Sequence, residues 1–231
     1  MGELGLIQKI SVWAIPVLFA ITLHEVAHGW AAKLLGDTTA EMLGRLSLNP
    51  IKHIDPVGTI AVPLLLMYIA PFMLGWAKPV PVTWRNLSNP KRDMAIVALA
   101  GPAANLAMLC LWTLVLQVMV LYHALVPWMA EPLILMSVAG IVINTILMIF
   151  NLIPIPPLDG GRVLTGLLPR PYAYWFAKLE PYGMFIIIAL LVTKVLGGVI
   201  GPAVFWVVFV PAEIIGLSPG AYASILRALG L

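Results

Sequence analysis

Ile21-Thr22-Leu23-His24-Glu25-Val26-Ala27-His28-Gly29-Trp30 lies inside a hydrophobic segment running from about Ile10 to Leu35, and this placement decides how the chain reads. Lipid penalises each ionisable group by roughly 2.5 kcal/mol or more at the centre of a spanning helix. Two imidazoles and a carboxylate so close together need a compensating partner, and a bound metal ion is the simplest one. On a helix, His24 and His28 fall one turn apart on the same face. Glu25 projects about 100° away, where a base beside a metal-activated water would stand. Interhelical hydrogen bonding of the two histidines without metal is the alternative.

The composition points to the same environment. Hydrophobic residues make up 61% of the 231 positions and charged residues 10%, with a mean hydropathy of +1.01. Soluble domains carry about 25% charged residues. An integral membrane protein follows, of the all-α polytopic class, with about five to six membrane-embedded segments and no room for a large soluble domain. The single cysteine, Cys110, excludes an internal disulfide and a cysteine-rich zinc site; in its apolar run it reads as inert packing. A net charge of +3 reads as loop topology rather than a nucleic-acid footprint. The first apolar stretch outruns a signal peptide and carries the histidines, so it is expected to be retained.

Outward from the first segment, Gly36-Asp37-Thr38-Thr39 breaks the helix. Residues 38–56 are polar for this chain, with Arg45, Asn49, Lys52, His53 and Asp55, and the alternation Arg45-Leu46-Ser47-Leu48 predicts a short β-strand in the region near 38–50. Further apolar runs span Val57–Trp76, Met94–Tyr122, Leu133–Ile155 and Met184–Leu217, the last cut by Gly197-Gly198 and Gly201-Pro202. The whole of 1–231 reads as a single membrane-embedded domain, with a core at about 10–180 and C-terminal hydrophobic segments at 184–217. No internal repeat is visible.

A catalytic zinc takes three protein ligands and keeps one position open. Asp159 is the best third candidate. It follows a helix end broken by Pro154, Pro156 and Pro157 and precedes Gly160-Gly161. Such a break can turn a carboxylate into a protein interior at membrane depth. A plain turn residue capping the next segment is the alternative.

These residues resemble a known family, the site-2 proteases, which are intramembrane zinc metalloproteases. The resemblance rests on His24-Glu25-Val26-Ala27-His28, on Ala100-Gly101-Pro102-Ala103-Ala104-Asn105, and on Asn151 through Arg162 with Leu158-Asp159-Gly160. It covers about residues 10–180 and is closest to the compact prokaryotic members without PDZ or CBS domains. Asn151 is followed by Leu152, where the family's second motif often has proline. The resemblance implies that His24, His28 and Asp159 bind one Zn2+ and that Glu25 activates water. The substrate would be a transmembrane protein, such as a single-pass regulator or a remnant signal peptide, cut within the lipid bilayer.

Metal binding constrains the topology. If Val57–Trp76 spanned the bilayer, Asp159 would emerge away from the histidines; if it is re-entrant, the ligands meet. The re-entrant reading also places Lys33, Arg45, Lys52, Lys78, Arg85, Lys91, Arg92, Arg162, Arg170 and Lys178 on one side. Cationic loops favour the cytoplasm. The active site is then expected in the cytoplasmic half of a multi-pass cell-membrane protein, with the N-terminus outside.

Asn151 is a candidate for holding unwound substrate backbone or the oxyanion. Asn105 is a weaker candidate, with close helix packing its leading reading. His53 and Asp55 read first as loop hydrogen-bonding residues and second as an accessory gate or ion site. The strand at 45–48 could pair with an extended substrate. A non-proteolytic metal-binding or transport protein is the main rival reading, but no symmetry between two halves is visible, and Glu25 is not needed to hold a metal. A chain with a dead site is a third reading, opposed by the presence of every ligand and the base.

Overall fold

The computed structural model describes residues 4–62, 65 and 75–231. Its long helices follow the apolar runs, because in lipid the backbone must satisfy its own hydrogen bonds. Helix α1 spans Leu6–Leu34. It closes with Gly36 N–H on Lys33 O and Asp37 N–H on Ala32 O, a turn that needs the positive φ of 109° at Gly36. A short helix α2 follows at Thr39–Met42. Helices α3 (Pro90–Leu121) and α4 (Pro127–Asn151) come next. After them are α5 (Asp159–Leu167), α6 (Arg170–Ala177), α7 (Glu180–Val192), α8 (Val195–Ile214) and α9 (Pro219–Leu229).

Four of these helices, α1, α3, α4 and α8, are long and apolar enough to cross a membrane. A fifth span results if α6 and α7, bent by 64° at their junction, count together. Bulky apolar side chains face outward, among them Ile15, Leu114, Val199 and Phe205, while Ser137, Asn144 and Thr145 are fully buried. That distribution inverts the usual one for a water-soluble protein and suits a lipid solvent. Cys110 also lies on an exposed face rather than in packed interior.

The chain divides into two compact units. The first comprises Met1–Ala20, Ala104–Phe150 and Gly198–Leu231. Its core joins Leu116, Val138, Ile141, Val208 and Tyr222. Gly140 lets the Trp112 indole lie directly on α4, the close approach that small residues provide between membrane helices. The second unit comprises Ile21–Ala103 and Asn151–Gly197. In it, buried Asp37 accepts hydrogen bonds from the backbone and hydroxyl of Thr39, the Thr83 N–H and the Asn86 amide. This clasp ties the end of α1 to the chain at 83–86.

Several sequence expectations change. No strand forms among the described residues. The stretch near 38–50 is instead α2, an irregular run through Asn49 and a tight turn at Pro50–His53. Its neighbour explains why. The Arg45 guanidinium donates to Lys52 O (2.7 Å), Lys78 O (2.9 Å) and Pro79 O (3.3 Å). Pro79 and Pro81 lack the N–H groups a ladder would use.

Helix α4 starts at Pro127, inside the expected loop, because proline is favoured in a first turn. It stops at Asn151, before the prolines, rather than at Ile155. The C-terminal apolar region breaks at Lys194, whose φ is 60°, and Gly201-Pro202 stay within α8. The re-entrant path expected for 57–76 falls largely outside the described residues. Its two ends are described. They meet through Trp76 N–H on Gly58 O (3.1 Å) and the Thr59 hydroxyl on Trp76 O (2.9 Å).

Candidate metal centre

The site lies wholly in the second unit. On α1, the four-residue spacing brings the two Nε2 atoms of His24 and His28 to 3.1 Å. Asp159 is the first residue of α5. The chain folds back sharply just before it: a Cβ on Gly160 would collide with the Leu152 and Ile153 carbonyls, and one on Gly161 with the Ile155–Pro156 backbone. Only glycine fits there, and the turn it permits aims the carboxylate at α1. Asp159 Oδ2 stands 3.2 Å from His24 Nε2 and 3.3 Å from His28 Nε2. All three residues are buried.

The donor chemistry fits a cation. His28 Nδ1 lies 2.7 Å from Val97 O. A carbonyl only accepts, so Nδ1 carries the proton and neutral His28 presents a lone pair at Nε2. That lone pair faces a carboxylate oxygen which is buried and makes no hydrogen bond. Acceptor atoms do not satisfy one another, and leaving them buried is costly. A tetrahedral zinc with ligand distances of about 2.0–2.1 Å separates its donors by about 3.3 Å, close to the triangle seen here. The Val97 carbonyl also orients the His28 ring, the usual outer partner of a metal-bound imidazole. Among the described residues these three form the only group of histidine, cysteine or carboxylate side chains able to hold a metal ion.

Two participants escaped the sequence reading. Gly101, from Ala100–Asn105, lies against both imidazoles: a Cβ there would run into His28 Nε2 and His24 Cε1. The small-residue motif was visible, but its proximity to the histidines was not. Val80 is the other. Its N–H donates to Glu25 Oε2 at 2.8 Å, and only the flanking Pro79 and Pro81 hint at a special backbone.

The remaining candidates are placed as follows. Asn151 is the half-buried last residue of α4. Asn105 belongs to the first unit, fully buried, with its amide on Ala20 O (3.3 Å) and Asn144 Oδ1 (2.9 Å). His53 is buried with Nε2 2.8 Å from Ser47 O. Asp55 caps the turn at Pro56–Ala61, accepting from the Val57 and Gly58 N–H groups. His53 and Asp55 bond backbone rather than each other.

A buried two-histidine, one-carboxylate group that could hold a metal ion, with a glutamate beside it and in a chain whose helices are long and apolar enough to cross a membrane, is the arrangement a membrane metallopeptidase needs. Comparison with known proteins makes this specific. The model of Peptidase family M50 matches residues 118–193. The chain is 37% identical over 199 residues to YwhC of Bacillus subtilis, which carries a zinc-metalloprotease name, and the match covers 83% of each chain. It is 30% identical over 194 residues to Rip2 of Mycolicibacterium smegmatis, which carries a zinc-metalloprotease name too, covering 82% of this chain and 70% of that one. No solved structure matches the chain. The chain belongs to peptidase family M50, the site-2 protease family of intramembrane zinc metalloproteases.

Proposed function

We propose that His24, His28 and Asp159 hold the zinc of this protease and that Glu25 is its general base. The observation that carries this reading is the meeting of three buried lone-pair donors within 3.3 Å, with Glu25 next to the first of them. Zinc bound there supplies a Lewis acid that polarises a peptide carbonyl and makes water more acidic. The chain's own residues do the rest. Glu25 takes a proton from the attacking water through its free oxygen and returns it to the amine that leaves. Burial of the three ligands excludes bulk water from the reacting atoms. Asn151, at the end of α4, holds the carbonyl or N–H groups that a helical substrate exposes when it unwinds. Asn105 packs helices, as its partners suggest.

The substrate we infer is a transmembrane segment of another protein, cut in the cytoplasmic half of a cell membrane by one domain spanning the whole chain. The hydrogen bond between Gly58 and Trp76 holds the two ends of the 57–76 run together, which supports placing both ends on one face; the cationic loops that share this face favour the cytoplasm. The test compares wild type with Glu25→Gln and Asp159→Ala in detergent, reading zinc content and cleavage of a single-pass test substrate. Glu25→Gln should keep zinc and lose cleavage; Asp159→Ala should lose both. Full cleavage by Glu25→Gln, or full zinc in Asp159→Ala, overturns the assignment.

A further inference from the structure

We propose that the backbone N–H of Val80 is a positioning group for catalysis, holding the Glu25 carboxylate in the orientation its proton transfer needs. The proposal rests on Glu25 being the base.

The bond is 2.8 Å long and ends on a carboxylate, which makes it one of the stronger kinds. Val80 is 7% exposed, so water competes little for its N–H. Its neighbours are both proline, so between residues 79 and 81 this is the single N–H available. The bare Cα of Gly29 lets the Val80 side chain lie against α1, which brings the N–H within reach of Glu25.

The bond matters more to Glu25 than to the segment carrying Val80. That segment has other anchors: Lys78 N–H on His53 O (2.9 Å), Arg45 on Lys78 O (2.9 Å) and Thr83 N–H on Asp37 (2.6 Å). With Arg45 also on Pro79 O (3.3 Å), losing one of five moves it little. Among the described residues Glu25 has no other hydrogen bond to its side chain. Without this one, a half-buried carboxylate on a flexible stem spreads over several rotamers. With it, Oε2 is fixed and Oε1 is left for the proton. Small misplacements of a catalytic group cost large factors in rate.

The test replaces Val80 with its α-hydroxy acid analogue by nonsense suppression in the full-length chain. This turns the N–H into an ester oxygen and keeps the side chain. The control is the same replacement at Val82, another valine preceded by proline, whose N–H bonds no described residue. Cleavage of a single-pass substrate, zinc content and melting temperature are read for both. The Val80 ester should lower kcat about tenfold or more, with KM and zinc content unchanged, while the Val82 ester behaves as wild type. Wild-type kcat in the Val80 ester overturns the proposal. So does an equal loss in the Val82 ester, which would mark a general effect of the ester on the segment. The Glu25→Gln variant separates the two levels. If it still cleaves, the base assignment itself falls; if it is dead while the Val80 ester is fully active, only the positioning role falls.

Discussion

Gly101 of α3 lies bare against the imidazole of His28, leaving no room for even one methyl between them. A residue that reads from sequence as helix-packing punctuation is therefore part of the wall of the proposed metal centre.

Gly101→Ala should empty the site without unfolding the helix. Alanine favours a helix by about 1 kcal/mol over glycine, so α3 itself is not weakened. The methyl pushes on His28 Nε2 and His24 Cε1, and the ligand triangle opens. Zinc per chain, measured by elemental analysis, should fall at least tenfold in dilute metal, with cleavage falling in parallel. Normal zinc content would show that the rings yield freely.

Asp159→Asn separates metal binding from folding. Zinc binding should be lost, because the amide is a poor ligand beside two imidazoles. Without zinc, a proton on either imidazole pairs with Asp159 Oδ2, 3.2 Å from His24 and 3.3 Å from His28, whereas the asparagine amide donates to a neutral ring instead. In chelator, the variant should therefore still fold and melt cooperatively. With zinc present, wild type alone should gain stability, as binding to the folded state dictates. A variant much less stable than chelated wild type would mean that the carboxylate supports the fold by itself.

Asp37 sets a pH dependence away from the active site. Burial pushes its carboxyl up, but the Thr39 hydroxyl, the Thr83 N–H, the Asn86 amide and the Thr39 N–H together hold it below the ordinary carboxylate value. A lowered folded-state value means the group stabilises the fold above its unfolded value, and the contribution disappears as pH falls through the lowered value. Melting temperature should therefore drop on acidification. Asp37→Asn should be less stable at neutral pH, by about 2 kcal/mol, and lose less on the way down. Parallel acid profiles for the two proteins would count against this clasp.

The meeting of Gly58 and Trp76 predicts a topology. Single cysteines at Asp55 and Lys78, in a Cys110→Ser background, should react with an impermeant maleimide from the same side of sealed vesicles. Labelling from opposite sides would require the run between them to cross the bilayer, and the shared depth of the two ligand stretches would need another explanation.

Much of the site was legible from residue order. The four-residue step from His24 to His28 and the offset of Glu25 are properties of one helix, settled by 3.6 residues per turn. The prolines after Asn151 and the glycines after Asp159 announce a break and a tight return, because their backbones permit little else. The excess of apolar residues announces the membrane. The strand expected near 45–48 failed for a reason outside its own residues: its neighbour carries Pro79 and Pro81, and Arg45 reaches across to that neighbour's carbonyls. The break at Lys194 gave no stronger local signal than Gly197-Gly198, which stay helical.

What residue order determined here is everything settled within a turn or two of backbone: helical phase, chain breaks, and which side chains lipid would not tolerate alone. Tertiary structure decided which distant groups answer them. Asp159 meets the histidines, Val97 orients His28, Gly101 clears its ring and Val80 holds Glu25. Local rules act over a few residues along the chain; these contacts join residues far apart in it, and only the packing of whole helices and loops sets their distances.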